Sequence, residues 1–429
     1  MTRKLFRATI SKGLAVLTVT LTAALVLAPG AWAASKYKIL YNFTGGADGS
    51  TPYAGLTLDS SGNLYGTTSA GGASGDGTIF KLTKNSDGSW TESVLYSFAG
   101  GTDGVTPWAG VTFDARGNLY GTTQYGGASS VGTVFKLTPN SDGTWAESVL
   151  YSFTGGSDGA NPFYGVIFDA TGALYSATSA GGSQSMGVVY KLTPNSDGSW
   201  TYGALHSFTG GQDASYPLYG GKLTFDTAGN LYGATSDGVD AQGNCPSGND
   251  CGSIFELTPQ SDGSWKEQVI FRFQGGQGAP GRKPLSPVMF DSAGHLYGNS
   301  GGGGSWYGGV FRLTLGAKGT WTKDVLHAFK GNQDGAYPNS GVVSDTAGNL
   351  YGTTALGEDL DGACCFGQVF KLIPHSHGWS KQTLHRFQGS PRDGSNSGFP
   401  VVLDTVGNLY GTTNDGGAHS AGVVFEFTP

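Results

Sequence analysis

The 429-residue sequence has few charged residues, only four cysteines and only three methionines. Asp, Glu, Lys and Arg together make up 13% of the chain, roughly half of the usual share, which argues against a coiled coil or a charged helical protein. Basic residues are in the minority, because 24 Lys and Arg stand against 31 Asp and Glu for a net charge of −7. Nucleic acids and anionic membranes are bound by clustered Lys and Arg, so the sequence predicts neither partner.

Long apolar runs are also missing outside the first residues. Residues 1–33 combine four basic residues, an uncharged stretch over 13–27 and the triplet Ala31-Trp32-Ala33, which is the pattern of a secretory signal peptide. The sequence therefore predicts a secreted protein, extracellular or periplasmic, whose mature part is residues 34–429 and does not insert into a membrane. Removal of the signal takes away four basic residues and no acidic one, which leaves a net charge of −11.

Glycine, by contrast, is abundant, and much of it belongs to an internal repeat. The string Gly-Asn-Leu-Tyr-Gly or a near copy occurs seven times, at intervals of 54 to 65 residues. The tyrosines of the seven copies are Tyr65, Tyr120, Tyr175, Tyr232, Tyr297, Tyr351 and Tyr410. Each unit holds four short segments rich in Val, Ile, Tyr, Phe and Thr, separated by Gly, Asn, Asp and Ser, as is typical of β-strands.

The four segments of a unit predict a four-stranded antiparallel meander with strands A to D. In the first unit these strands cover 55–59, 64–68, 78–83 and 93–98, and tight turns at 59–63 and 85–88 join A to B and C to D. One such sheet cannot bury both faces, whereas copies packed around an axis can, as in a propeller. The last unit stops after a strand C at 422–428, and an unmatched strand D stands at 37–43. The sequence thus predicts an all-β, seven-bladed β-propeller of four-stranded antiparallel blades, whose last blade is closed by the N-terminal strand.

Three segments of the repeat carry a family resemblance. Units of the form F-x-G-G-x-D-G, D-x-x-G-N-L-Y-G-T-T-x-x-G-G and G-T-V-F-K-L-T-P resemble the Gloeo/Verruco (GloVer) tandem repeat of exported bacterial proteins, over residues 37–429. The resemblance implies export and, in many members, a C-terminal sorting or anchoring segment; this sequence departs from that pattern, because it ends within a predicted strand. It implies no particular reaction or ligand.

One face of the predicted propeller carries the longer B–C and D–A loops, and ligands are commonly bound by such loops on a rigid scaffold. The candidate ligand-binding residues are six D–A loop aspartates and three aromatic residues that follow the loop proline: Asp48, Asp103, Asp158, Asp213, Asp334, Asp393, Tyr53, Trp108 and Phe163. The aspartates could form a carboxylate ring near the axis, or could simply accept backbone N–H groups within Asx-type turns. The aromatic residues could stack on a sugar or peptide, or pack between blades. His206, His327 and His385 on strand D are expected to be packing residues.

The repeat is least regular in blades 4 to 6. The B–C loops of blades 4 and 6 are lengthened, and Gly278 takes the place of the loop aspartate in blade 5. A symmetric ring acquires a unique site where its symmetry is broken, so this sector is a second candidate site; drift within the repeat is the alternative. Its candidate ligand-binding residues are Arg282, Lys283, Trp306 and Tyr307.

The two lengthened loops also hold all four cysteines: Cys245, Cys251, Cys364 and Cys365. In an exported protein these predict disulfides, with the first pair bridged, the second pair bridged as neighbours, or the two loops bridged to each other. No zinc-binding spacing is present. Acidic residues of the same loops are candidate Ca²⁺ ligands, and no other cofactor is expected: Asp237, Asp240, Asp250, Glu358, Asp359 and Asp361.

These features favour a secreted, monomeric, non-catalytic propeller that binds an extracellular glycan or protein through its D–A and B–C loops. The sequence offers no catalytic residue set, since no nucleophile, base or metal motif stands out from the repeat. The alternative is a polysaccharide lyase or glycoside hydrolase with paired carboxylates on the same face near blade 5.

Overall fold

A computed structural model describes residues 36–217, 221–238, 251–273, 282–301, 307–357 and 366–428, and these residues form seven four-stranded antiparallel sheets. The predicted signal peptide lies outside the described residues. In each sheet the strands are ordered A, B, C and D, and in six of the seven sheets these four strands follow one another in the sequence as a meander. The predicted all-β, seven-bladed propeller is therefore confirmed.

Each blade has four strands, A to D. They are Thr57–Leu58, Leu64–Thr68, Thr78–Lys84 and Trp90–Ser97 in blade 1; Thr112–Phe113, Leu119–Thr123, Thr133–Pro139 and Trp145–Ser152 in blade 2; Ile167–Phe168, Leu174–Thr178, Val188–Pro194 and Trp200–Ser207 in blade 3; and Thr224–Phe225, Leu231–Thr235, Ser253–Pro259 and Trp265–Arg272 in blade 4. They are Met289–Phe290, Leu296–Ser300, Gly309–Leu315 and Trp321–Ala328 in blade 5; Val343–Ser344, Leu350–Thr354, Gln368–His375 and Gly378–Arg386 in blade 6; and Val402–Leu403, Leu409–Thr413, Val423–Thr428 and Lys36–Asn42 in blade 7. Gly394–Ser395 and Asp415–Gly416 form a short ribbon, and Gly211–Asp213 and Asn332–Asp334 are 3₁₀ turns.

The two ends of the chain close the ring. Lys36–Asn42 pairs antiparallel with Val423–Thr428, so that the N-terminal strand is strand D of the last blade. This arrangement pairs the strand C edge that blade 7 would otherwise expose, and an unpaired edge is prone to join other chains. The predicted closure is confirmed.

A buried aromatic contact joins each blade to the next. The aromatic residue in the middle of strand C packs edge-to-face against a buried phenylalanine that follows strand D of the preceding blade, with ring centroids 5.1–5.3 Å apart. The seven pairs are Phe43–Phe80, Phe98–Phe135, Phe153–Tyr190, Phe208–Phe255, Phe273–Phe311, Phe329–Phe370 and Phe387–Phe425. Edge-to-face pairs are worth about 0.5–1.5 kcal/mol beyond their area burial. Each of the seven hydrophobic clusters lies between two blades, so the core of this protein is its set of blade interfaces.

The glycine of the repeated Leu-Tyr-Gly string makes room for this ring. Gly66 on strand B pairs with Phe80 on strand C, and a Cβ atom at Gly66 would lie 2.5 Å from the Phe80 Cζ atom. A side chain at this position would therefore displace the ring. Blade 3 has Ser176 opposite Tyr190 instead.

Strands A and D differ from their predicted extents. Strand A is two residues long in every blade instead of five. Strand D starts at Trp90 in blade 1 and carries a β-bulge, because Leu95 has no partner between the pairs Ile79–Tyr96 and Phe80–Val94. The bulge turns Leu95 towards the interface between blades, where it packs against the core, and leaves Val94 36% exposed. A bulge at the equivalent position recurs in all seven blades.

The turn between strands A and B is built around the conserved position of Asp59 in the repeat. Its Oδ1 atom accepts the backbone N–H groups of Ser61 and Asn63, and its Oδ2 atom accepts the Tyr65 hydroxyl at 3.2 Å. These hydrogen bonds hold the pKa of Asp59 below its usual value, although burial opposes them. The corresponding aspartates of the other six blades make the same bond to the strand B tyrosine. Their role is to fix the hairpin.

Among the described residues, no helix has the length and apolar character needed to cross a membrane.

The Phe43→Ala variant tests how far the ring depends on its closing contact. We expect a loss of about 3–5 kcal/mol in the free energy of unfolding in urea, because a fully buried ring is removed. Trypsin should also cleave faster after Lys38, since the closing strand is then held less firmly. Phe98→Ala, which removes the same contact between blades 1 and 2, is the control and should leave cleavage at Lys38 much less affected. Equal cleavage at Lys38 in the two variants, or a loss below about 1 kcal/mol for Phe43→Ala, would contradict this view.

Candidate functional site

The residues five positions after the D–A loop aspartate form a ring at the mouth of the central channel. Tyr53 and Trp108 come from successive blades and their side chains stack at a centroid distance of 4.0 Å. Phe163 of the third blade packs against Trp108 at 5.6 Å, and Phe399 of blade 7 packs edge-on against Tyr53 at 5.2 Å. These residues immediately precede strand A of their blades, and strand A is the strand that lies nearest the axis of a propeller. The structure thus brings together the three predicted aromatic residues and adds Phe399 to them.

The aromatic arc is interrupted in blades 6 and 7, beside Tyr53. Blade 6 has Asn339 and blade 7 has Gly398 at the position of Tyr53. The missing side chain at Gly398 opens a cavity of about 180 Å³. Its described lining consists of Tyr53, Trp108, Asn339, Ala355, Asn396, Gly398, Phe399 and Pro400. None of these described lining residues is charged.

Two buried polar atoms of the cavity residues have no hydrogen-bond partner among the described residues. They are the Trp108 indole Nε1, which can only donate, and the Asn339 Oδ1, which can only accept. Buried polar atoms in proteins are nearly always satisfied by protein, water or a ligand. The cavity therefore has apolar aromatic walls, and two of its lining residues each carry a buried polar atom without a hydrogen-bond partner among the described residues.

The backbone that supports this ring is strained in a regular way. The residue two positions before the ring residue has a positive φ in the described blades, for example 53° at Thr51, 58° at Thr106 and 57° at Asn396. This conformation lets its N–H group reach across to the preceding blade, as from Thr51 to the Ala421 carbonyl at 3.0 Å. Such strain persists only where surrounding contacts hold it, and it commonly accompanies functional sites. Sequence reasoning missed this feature, because most of these residues precede a proline and would be expected to be extended.

The six loop aspartates lie at the outer strands rather than in the mouth cavity. Asp48 accepts hydrogen bonds from the Tyr41 hydroxyl of strand D at 2.9 Å and from the backbone N–H of Thr44 at 2.8 Å. The other five accept from the tyrosine or histidine at the same place on strand D: Tyr96 to Asp103, Tyr151 to Asp158, His206 to Asp213, His327 to Asp334 and His385 to Asp393. The sequence of the remaining unit has Phe271 and Gly278 at these two positions, so donor and acceptor are lost together. The aspartates thus accept backbone N–H groups of their own loop, but the donor lies four or five residues upstream and not downstream as in an Asx-type turn.

The sector of blades 4 to 6 is described only in part. Lys283 forms an ion pair with Asp237 at 3.6 Å, and Arg282 adjoins Lys283 in the same loop. Tyr307 packs against the core between blades 5 and 6. Cys251 is buried and is not a free thiol, but Cys245, Cys364 and Cys365 lie outside the described residues, so the disulfide pairing stays a prediction. Trp306, Asp240, Asp250, Glu358, Asp359 and Asp361 also lie outside the described residues.

A lysine lines the channel beyond the mouth. The Lys222 ammonium donates to the Thr112 hydroxyl at 2.9 Å, four residues beyond Trp108 in blade 2. Desolvation lowers the pKa of Lys222 to about 8. An ammonium ion enclosed by a channel is costly unless a counter-charge joins it.

The Lys222→Met variant tests the cost of this buried charge. We expect it to be more stable than the wild type at pH 7, by up to about 3 kcal/mol, since one pKa unit corresponds to roughly 1.4 kcal/mol. As the pH rises from 7 to 9, the wild type should regain part of this lost stability, because the folded chain releases the Lys222 proton before the unfolded chain does. Urea unfolding at the two pH values measures both effects. A variant less stable than the wild type at pH 7 would show that the charge is compensated.

Two glutamates on strand D face the loop aspartates of the preceding blade. Burial and then the charge of Asp48 raise the pKa of Glu92 to about 7, and burial and Asp103 raise that of Glu147 to the same value. The unfolded chain ionises both groups near 4.5, whereas the folded chain keeps the protons until about pH 7. Their stabilising contribution to the free energy of unfolding is therefore fully present below pH 4.5 and is lost as the pH rises to 7.

We expect a Glu92→Gln, Glu147→Gln double variant to lose less stability than the wild type between pH 5 and pH 8. The difference should be about 1 kcal/mol for each glutamate, because their partial exposure screens the charges. Urea unfolding of both proteins at the two pH values isolates this term from the other titrating groups. If the free energy of unfolding changed equally with pH in the two proteins, this prediction would be contradicted.

Comparison with known proteins supports the repeat assignment. The family model of the Gloeobacter/Verrucomicrobia repeat matches residues 30–246 and 241–429. No curated protein matches the chain significantly.

Solved structures resemble the chain only at low identity. A candidate 6-phosphogluconolactonase from Bacteroides uniformis is 16% identical, with a TM-score of 0.49 over 78% of this chain and 84% of that one. A candidate oxidoreductase (glucose dehydrogenase) from Thermus thermophilus is 14% identical, with a TM-score of 0.44 over 92% and 100% of the two chains. A gluconolactonase from Xanthomonas campestris is 16% identical, with a TM-score of 0.35 over 70% and 82%. Similarity at this level carries no argument about activity, whereas the two matches of the repeat model span nearly the whole sequence: the chain belongs to the Gloeobacter/Verrucomicrobia repeat family.

Proposed function

We propose that this protein is an exported, non-catalytic binding protein that holds the terminal sugar ring of an extracellular glycan in the mouth cavity. The observation that carries the proposal is the combination of stacked aromatic walls with two unsatisfied polar atoms, Trp108 Nε1 and Asn339 Oδ1. Sugars present apolar ring faces edged by hydroxyl groups, which can both donate and accept. An apolar aromatic platform beside an unpaired donor and an unpaired acceptor matches that chemistry.

The size of the cavity favours a sugar over a protein segment. Its volume of about 180 Å³ is smaller than the roughly 300–1,000 Å³ of pockets for drug-sized ligands, so it accommodates one ring rather than a chain of rings. Because none of the described lining residues is charged, the cavity favours a neutral sugar. The export part of the proposal rests on the signal-like residues 1–33 together with membership of the repeat family.

The position of the carboxylates supports binding rather than hydrolysis. A glycosidase needs two carboxyl groups on either side of the scissile bond, about 5–9.5 Å apart. Among the described residues, the facing carboxyl groups, such as Asp48 with Glu92, belong to the outer strands, and none belongs to the cavity lining. Acid–base chemistry on a ring held against Trp108 therefore has no described group to perform it.

The test is titration of the full mature chain with methyl glycosides of glucose, galactose, mannose and N-acetylglucosamine, with glucuronic acid as an acidic comparison. Calorimetry and tryptophan fluorescence should detect binding of at least one neutral glycoside. Trp108→Ala should weaken that binding at least tenfold, since both the stacking face and the donor are lost. Gly398→Phe should abolish it, because the variant restores the bulky residue that three other blades carry and fills the cavity.

Matched controls separate these effects from misfolding. Trp145→Phe alters a tryptophan that begins a strand at the opposite, hairpin end of blade 2, and it should leave binding unchanged. Asn339→Leu keeps the shape of the site but removes the acceptor, and it should weaken binding without loss of stability. The proposal is wrong if no neutral glycoside binds, or if Trp108→Ala and Gly398→Phe bind as the wild type does.

A further inference from the structure

The outer strands of neighbouring blades meet at seven equivalent places, here called outer junctions. Each outer junction combines one residue of strand D and, except where Gly278 replaces it, the loop aspartate of one blade with the residue of the next blade's strand D that corresponds to Glu92. The seven sets are Tyr41, Asp48 and Glu92; Tyr96, Asp103 and Glu147; Tyr151, Asp158 and Tyr202; His206, Asp213 and Glu267; Phe271 and Lys323; His327, Asp334 and Lys381; and His385, Asp393 and Tyr37.

One outer junction unites three residues of metal-ligating chemistry. His206 Nε2 lies 2.8 Å from Asp213 Oδ1, and one ligand atom each of His206, Asp213 and Glu267 lie within 4.8 Å of one another. Within the described part of the chain, no other group of three or more such residues comes this close. The two other junctions that hold a glutamate have a tyrosine instead of the histidine, and the two others that hold a histidine have Lys381 or Tyr37 instead of the glutamate.

The Glu267 carboxylate has an atom available for a ligand. Its Oε1 atom is buried and, like the Oε1 atoms of Glu92 and Glu147, has no hydrogen-bond partner among the described residues. Asp213 is held in place by the backbone N–H and the hydroxyl of Thr209, and His206 packs edge-on against Phe208 at 4.9 Å, so both are oriented before any ligand binds. The nearby Arg272 guanidinium donates to the Gln212 carbonyl, and the two carboxylates outnumber this one cation.

The outer junction between blades 5 and 6 shows that this place in the fold accepts a cation. There the Lys381 ammonium replaces the glutamate and lies 3.1 Å from Asp334 Oδ1, beside His327. The chain thus supplies its own positive charge between histidine and aspartate at that junction. At the junction of blades 3 and 4 a carboxylate stands in the lysine position, so a bound metal ion would supply the positive charge there.

We propose that His206, Asp213 and Glu267 form a binding site for a divalent transition-metal ion of the Zn²⁺ class, which links blade 3 to blade 4. One imidazole nitrogen and two carboxylate oxygens suit such an ion, whereas Ca²⁺ and Mg²⁺ prefer oxygen ligands alone. Three protein ligands leave a further position for water or another ligand. The site is separate from the mouth cavity and its role is independent of the sugar.

The experiment is equilibrium dialysis of the tag-free mature protein against ZnCl₂ at pH 7.5, with CaCl₂ and MgCl₂ as comparisons. We expect the wild type to bind one Zn²⁺ at this site and to gain a few degrees in its unfolding midpoint, because the ion binds only the folded chain. Glu267→Gln and His206→Tyr should each weaken Zn²⁺ binding at least tenfold. His206→Tyr copies the tyrosine found at three other junctions, so it should fold normally.

Two further variants make the result decisive. Glu267→Lys reproduces the junction of blades 5 and 6, and it should unfold at or above the wild-type temperature without metal and gain nothing from Zn²⁺. Glu147→Gln changes the glutamate of a junction that has no histidine, and it should bind Zn²⁺ as the wild type does. Absence of Zn²⁺ binding by the wild type at millimolar concentration, unchanged affinity in Glu267→Gln and His206→Tyr, or an equal loss in Glu147→Gln would each overturn the assignment.

Discussion

The edge-to-face contact between a buried phenylalanine of one blade and the strand C ring of the next is the interaction on which the propeller depends. It depends on a small residue opposite the ring, which is Gly66 in blade 1 and Ser176 in blade 3, on a Phe after the bulged strand D, and on a neighbour for every blade. An open stack of seven blades would have six such interfaces instead of seven. The pairing of Lys36–Asn42 with Val423–Thr428 places Phe43 against Phe80, and with that contact the seven interfaces become equivalent.

This equivalence explains why specificity has to come from positions that packing does not constrain. Residues buried between blades recur with little change, but the ring at the channel mouth faces open space and can differ from blade to blade. Gly398 and Asn339 occupy ring positions that hold Tyr53 and Trp108 in other blades, and the gap they leave is the mouth cavity. The outer junctions also differ from one another in their side chains, and one of the seven combines His206 with Glu267. A regular scaffold thereby carries two irregular sites.

Sequence reasoning could reach the strands, the blade count and the closure, because each follows from a local motif and from the order of the repeats. Strand B at 64–68 was predicted to the residue. The bulge of strand D was not predicted, although the run Val94-Leu95-Tyr96 interrupts the alternation of a regular strand and could have indicated it. The left-handed residues at the mouth could not be read from the sequence, since Thr before Pro is ordinarily extended. Their conformation is selected by a hydrogen bond to the neighbouring blade.

Both candidate sites lie beyond local reasoning for the same physical cause. Trp108 and Asn339 are more than two hundred residues apart in the sequence, and they become neighbours only because blades on a closed ring converge at the axis. His206 and Glu267 belong to successive repeats, but the packing angle of two blades decides whether their side chains meet. Within its own repeat, a histidine on strand D therefore resembles a packing residue. The glutamate that could bind a metal ion together with it belongs to the next repeat. In this propeller, both candidate sites are formed by side chains that meet at the interfaces between repeats.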